Sequence, residues 1–120
     1  MKLAIVGSVS FVNPYGRETA IAMIREVLLR KMPTLVISGG AEGVDTWTKE
    51  IAENMGFSVR EWLPRNRRWQ PDGFKDRNIL IARDCDELVA IRDKQSKTYG
   101  SGWTADYTER LGKPVQRILL

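Results

Sequence analysis

Thr34-Leu35-Val36-Ile37-Ser38-Gly39-Gly40-Ala41-Glu42-Gly43-Val44-Asp45 runs from strand-forming residues through a glycine-rich turn into the start of a helix. Beyond it, Val44, Trp47, Thr48, Ile51, Ala52 and Met55 fall at i, i+3, i+4, i+7, i+8 and i+11, and Gly56 stands where a helix-ending glycine is expected. The stretch is a strand, a tight turn and an amphipathic helix. Bare backbone N–H groups at such a helix start, with no Cβ to hold a ligand off, attract anions through unpaired donors and the helix dipole.

The same alternation extends in both directions. Residues 3–6 read as a short buried strand, and Ala20, Ile21, Ile24, Val27 and Leu28 then recur at helical spacing before Pro33. Downstream, the pattern predicts a strand over 57–62, a loop over 63–73 with two prolines and three arginines, and a helix over 74–84. A strand over 87–91, a helix over 103–111 capped by Gly112, and a strand over 115–119 complete the chain. Five strands alternating with four helices predict an α/β fold. The expected form is a Rossmann-like three-layer sandwich whose parallel sheet has strand order 3-2-1-4-5, with helices on both faces. Ligands in such sheets bind beyond the carboxyl ends of the strands, where the order reverses. Three segments converge there: Gly7-Ser8-Val9-Ser10-Phe11, the turn from Gly39 to Gly43, and the loop over 92–104.

At 120 residues with 42% hydrophobic content, the chain fits one domain over 1–120 with a proper core. No apolar run approaches the roughly 18 residues of a membrane span. The run over 3–6 is too short for the apolar part of a leader. The expected setting is cytoplasmic, with no membrane partner. Cys85 is the single cysteine and is expected to be a small buried apolar residue. Histidine is absent, which removes Ser-His-Asp and Cys-His nucleophiles and leaves a zinc site without its ligands. Neither a metal nor a cofactor is expected. The net charge of +4 favours anionic partners.

A second glycine-rich turn, Tyr99-Gly100-Ser101-Gly102-Trp103-Thr104, precedes the fourth helix. Neither turn holds Gly-Lys-Ser/Thr or the six-residue dinucleotide fingerprint, so the plain alternative is that the glycines only make tight turns. Glu42 and Asp45 would repel a phosphate at the first turn by an amount comparable with the ~0.3–1 kcal/mol dipole attraction. The phosphate is therefore expected on Gly100, Ser101, Gly102 and Thr104, near Lys94 and Lys97. Ribose hydroxyls are expected near Ser38, Gly39, Gly40, Gly43 and Asp45, since carboxylates accept from them. Gly7 and Ser8 complete this reading. In the third helix Phe74, Arg77, Asn78 and Ile81 share one stripe, placing a guanidinium among apolar residues. Its partner is a ligand anion, or an acid such as Asp45 or Asp106, unless the chain simply snorkels. Arg65, Arg67, Arg68 and Trp69 interleave charge with a ring, the combination used to bind single-stranded nucleic acid, or else form a solvated loop.

Taken together, these motifs resemble the SLOG superfamily, the Rossmann-like domains of the DNA-processing protein A and LONELY GUY type, and within it the small stand-alone members. The resemblance covers Val6-Gly7-Ser8, Ser38 to Asp45, Trp69 with Gly73 and Arg77-Asn78, Gly100 to Thr104, and Gly112-Lys113-Pro114-Val115. It implies binding of a nucleotide, a nucleotide-derived metabolite or, as a lesser alternative, nucleic acid, and it implies a homodimer. It also implies an enzymatic alternative, a phosphoribohydrolase that cleaves the N-glycosidic bond of nucleoside 5′-monophosphates. Arg77 is similar in place to the catalytic arginine of those enzymes. Their catalytic glutamate falls at Asp106 or Tyr107, and Val9 stands where many small members carry an arginine.

Overall fold

The predicted alternation is present in full. The computed structural model describes residues 1–97 and 100–120; Thr98 and Tyr99, with the start of the expected second turn, lie outside the described residues. The elements are β1 (Lys2–Gly7), α1 (Gly16–Lys31), β2 (Leu35–Ser38), α2 (Val44–Asn54), β3 (Val59–Glu61), α3 (Phe74–Asp84), β4 (Glu87–Arg92), α4 (Gly100–Arg110) and β5 (Val115–Leu119). The strands form one sheet in the order β3-β2-β1-β4-β5, every neighbouring pair parallel.

Because a strand turns successive side chains to opposite faces, each central strand feeds two cores. Leu3, Ile5, Val36, Val89 and Ile91 pack with Ala20, Ile24, Leu28, Val44 and Ile51 of α1 and α2. Ala4, Val6, Ile37, Leu88 and Ala90 pack with Ile81, Cys85 and Ala105 on the α3 and α4 side. Right-handed crossovers require this division, since chain direction across the sheet reverses after β3. Cys85 is the buried apolar residue expected of it, and burial pushes its thiol up to about 11.

Two differences from the sequence reading concern boundaries. β3 is shorter than 57–62, because the Phe57 N–H is used to close α2, although pairing still continues through Ser58 O and Trp62 N. α4 begins at Gly100 rather than at 103, so the glycines of the second turn form the helix's own first turn. Glycine's low helix propensity argued for a later start. Burial of Gly102, Thr104 and Ala105 outweighs it.

Candidate functional site

A cavity of about 350 Å³ opens beyond the carboxyl end of β1, where strand order reverses. Val6 and Gly7 form its floor, Ala41 and Asp45 the α2 side, Phe74, Arg77 and Asn78 the α3 side, and Gly100, Ser101 and Thr104 the α4 side. Val9 and Trp69 reach it from loops. A second hollow of about 440 Å³ continues from it past Val9, Ala41, Phe74 and Arg77 toward Gly40, Glu42, Pro64 and Arg67.

The two glycine turns serve different ends. At Gly43 (φ +76°) an added Cβ would lie 2.4 Å from the carbonyl oxygens of Ser8 and Val9, so the first turn presses directly on the loop after β1. Cβ atoms at Gly7, Gly39 and Gly40 would likewise strike Ile91 O, Arg77 Nη1 and Leu63 Cδ2. Close packing thus accounts for the first set of glycines. A Cβ on Gly100 would meet no described residue outside its own helix turn within 4 Å.

Arg77 is the cation of the cavity. The α3 stripe turns it inward beside Asn78, and both are buried despite their polarity. Its Nε donates to Asn78 Oδ1 at 2.7 Å, its Nη1 donates to Gly39 O, and its Cζ sits 5.5 Å from the Phe74 ring centroid. Nε and Nη1 are engaged by these bonds, Nη1 also reaching Trp62 O at 3.5 Å, and among the described residues Nη2 makes no hydrogen bond. Burial lowers the guanidinium pKa, and the nearby Asp45 partly offsets this. Asp45, only 5% exposed, accepts from Ala41 N through Oδ2 at 3.2 Å, while its Oδ1 has no hydrogen-bond partner. Burial pushes its carboxyl up to about 7, with Arg77 and the Ala41 N–H pulling the other way and Glu61 adding to the rise.

Of the residues read from the sequence, Gly7, Asp45, Arg77, Asn78, Gly100, Ser101 and Thr104 line the cavity together. Thr104 Oγ1 already donates to Gly100 O at 2.9 Å, which leaves Ser101 as the hydroxyl of α4's first turn. Gly40 lines the adjoining hollow. Ser8, Ser38, Gly39, Gly43 and Gly102 are not among the lining residues. Ser8 Oγ accepts from Asp93 N at 2.9 Å, and Ser38 Oγ donates to Asp45 O at 3.1 Å. Gly39 and Gly43 hold the turn by their close contacts. Asp106 is not brought to the cavity either; it pairs with Arg117 at 2.7 Å, on the side of α4 facing β5. Trp69, and not Trp103, is among the residues lining the cavity. Trp103 stacks on Tyr107 at 5.3 Å and meets Trp69 edge-on at 5.3 Å.

The sequence reading placed Val9 and Ala41 in segments converging on the crevice without naming them as site residues, and it missed Asp93 as the post that holds the loop. The Asp93 carboxylate accepts from Val12 N at 2.7 Å and Gln95 N at 2.9 Å, and these bonds hold it below the usual carboxylate range. An acid directly after a central strand of a parallel sheet was the available signal. Among the described residues no cluster of three or more metal-ligating side chains occurs, and no helix is long and apolar enough to cross a membrane.

No protein-family model matches the chain, and no curated protein matches it. Solved structures do. The protein TM1055 is 25% identical with a TM-score of 0.71, over 95% of this chain and 71% of that one. DNA processing protein A (DprA) from Streptococcus pneumoniae is 18% identical with a TM-score of 0.74, over 97% of this chain, which spans 49% of DprA. The molybdenum cofactor carrier protein from Chlamydomonas reinhardtii is 15% identical with a TM-score of 0.71, over 97% of this chain and 75% of that one. The sheet order, the paired glycine turns and these likenesses together give the chain a small SLOG-like, Rossmann-like α/β fold.

Proposed function

We propose that the cavity binds a nucleotide or a nucleotide-derived metabolite. The observation that carries this reading is the meeting of the buried Arg77 and the first turn of α4 in one mostly apolar cavity of about 350 Å³. That volume is within the range of small-molecule sites. The phosphate is assigned to the N–H groups and Ser101 at the start of α4, with Arg77 bridging toward it. Trp69 and Phe74 offer flat apolar surface for a base, and the Asp45 end is left for sugar hydroxyls. Proteins of like fold include one named for carrying a molybdenum cofactor and one for processing DNA, consistent with a ligand of nucleotide chemistry.

The experiment is a titration of tryptophan fluorescence with adenosine monophosphate, ADP-ribose, NAD and a short oligonucleotide. Saturable quenching by at least one small ligand is expected, because Trp69 forms part of the wall. Arg77→Ala should weaken that ligand by about 1–3 kcal/mol, the loss of a charge-assisted hydrogen bond. No response to any small ligand, or unchanged affinity in a folded Arg77→Ala variant, overturns the reading. The phosphoribohydrolase alternative requires a carboxylate beside the ribose. Asp106, the carboxylate that the resemblance offers for that role, is held by Arg117 away from the cavity, so the binding reading is preferred; release of free base from the nucleotide panel would reverse this preference and turn attention to Asp45, the carboxylate that does line the cavity.

A further inference from the structure

We propose that Asp45 sets the charge the cavity accepts, taking up a proton from solvent when an anion binds beside Arg77, so that the ligand enters as an anion together with one proton. The inference rests on the proposed nucleotide site and deepens it. Asp45 and Arg77 line the same cavity and flank Gly39 from two sides: a Cβ on Gly39 would lie 2.8 Å from Asp45 Oδ2 and 2.8 Å from Arg77 Nη1. A guanidinium and a carboxylate that flank one glycine are close neighbours, so an anion drawn to Arg77 acts on the Asp45 carboxylate through space as a like charge. Apart from Arg77, the ionised form of Asp45 is held only by backbone N–H groups, Ala41 N at 3.2 Å and a weaker contribution from Gly39, and its Oδ1 has no partner among the described residues.

Among the described residues, the other elements around Asp45 supply no further cation. From α3 comes Arg77, and from β3 comes Glu61, which raises the Asp45 pKa and is itself bound by Lys49 at 3.1 Å. The first turn of α4 contributes Gly100, Ser101 and Thr104 to the cavity, and β1 contributes Val6 and Gly7, none of them charged. Glu42 lies on the exposed turn, in the adjoining hollow. Arg77 is therefore the main stabiliser of the carboxylate, and an anion that takes up the Arg77 charge removes that support. With its pKa already at about 7, the carboxyl then protonates rather than remain as a second negative charge in a buried cavity. The proton comes from buffer, the product is the neutral acid, and no bond in the ligand changes.

The test is calorimetric titration of the protein with adenosine monophosphate at pH 8 in two buffers of different ionisation enthalpy, together with affinity from pH 6 to 9. The wild type should take up a proton approaching one per ligand, and its affinity should fall by up to about tenfold per pH unit above pH 7. Asp45→Asn should show no such uptake, should bind more tightly than wild type at pH 8, and should keep only the ligand's own titration. Equal proton uptake in both proteins, or wild-type affinity that rises with pH above 7, overturns the proposal while leaving the binding site standing. Failure of the folded wild type to bind any of the nucleotide panel removes both. Should Asp45→Asn not fold, the wild-type uptake alone decides.

Discussion

At the scale of single residues, the glycines separate a fold requirement from a ligand requirement. Gly43→Ala must place a Cβ against two carbonyl oxygens at a left-handed φ, so it should cost more than about 2 kcal/mol in chemical denaturation. Gly100→Ala meets open space and should leave stability within about 0.5 kcal/mol. If the phosphate approaches the α4 backbone there, the same variant should nonetheless lose nucleotide affinity. Unaltered affinity would move the phosphate elsewhere in the cavity.

Asp45 makes a second residue-scale prediction, in the unliganded protein. Its native carboxyl binds a proton more tightly than the unfolded one, at about 7 against an ordinary 3.8, so stability is full below about pH 4 and falls as pH rises to about 7. Above that the loss is complete. Asp45→Asn removes it, and should be more stable than wild type at pH 8 by up to roughly 4 kcal/mol, with the difference closing at about pH 4. Matched urea melts at the two pH values measure it. A wild type that is the more stable protein at pH 8 would mean that the ionised carboxylate is well satisfied in the fold.

At the scale of elements, the Gly-Lys-Pro-Val run acquires a structural account. Gly112 (φ +82°) ends α4 with paired bonds, Gly112 N to Glu109 O at 2.9 Å and Lys113 N to Thr108 O at 3.3 Å, a Schellman closure. Gly56 closes α2 in the same way, through Gly56 N to Glu53 O and Phe57 N to Ala52 O. Lys113 then reaches across to the end of α3. Its Nζ donates to the carbonyls of Ala82, Arg83 and Cys85 at 2.8, 2.9 and 2.6 Å, where the helix dipole also favours a cation. Pro114 O receives Leu88 N at 3.1 Å and starts β5. Lys113→Met keeps the aliphatic stem and removes the donors, and should cost about 1–3 kcal/mol in denaturation with little effect on ligand affinity. A neutral effect would show that water replaces the ammonium without loss.

These elements were legible to different degrees, for physical reasons. α2 declared itself because its stripe is continuous and its capping glycine stands in register. Alternation and crossover handedness predicted a parallel sheet covered on both faces, and 3-2-1-4-5 was the Rossmann-like order among those compatible with them. The α4 start was misplaced because propensity speaks against glycine in a helix, whereas tertiary packing decided. Arg77 and Asn78 were readable as polar intruders on an apolar stripe. The absence of Asp106 from the cavity was not readable, since its partner Arg117 lies on β5 and no local pattern links the two.

At the scale of the whole molecule, charge decides between the small ligand and nucleic acid. Much of the surface charge is already paired: Lys31 with Glu87, Lys49 with Glu61, Asp84 with Lys2 and Arg60, and Arg117 with Asp106 and Glu109. The loop after β3 instead exposes Arg65, Arg67 and Arg68 beside Trp69. Arg67 lines the hollow that adjoins the cavity, and Arg65 and Arg68 stand beside it in the same loop. They add attraction for a nucleotide, but an attraction that salt screens, whereas the contacts of Arg77 are buried and screened much less. Affinity for adenosine monophosphate should therefore fall by less than about tenfold between 50 and 500 mM salt. An oligonucleotide held by the loop would release about 0.7 counterion per neutralised phosphate, so three or four contacts give a slope near −2 to −3 on logarithmic axes. The comparison is one titration of each ligand across that salt range. A shallow slope for the nucleotide with weaker oligonucleotide binding places function in the cavity, whereas a steep slope with the oligonucleotide bound more tightly at low salt, and lost in an Arg65, Arg67 and Arg68 triple alanine variant, places it on the loop.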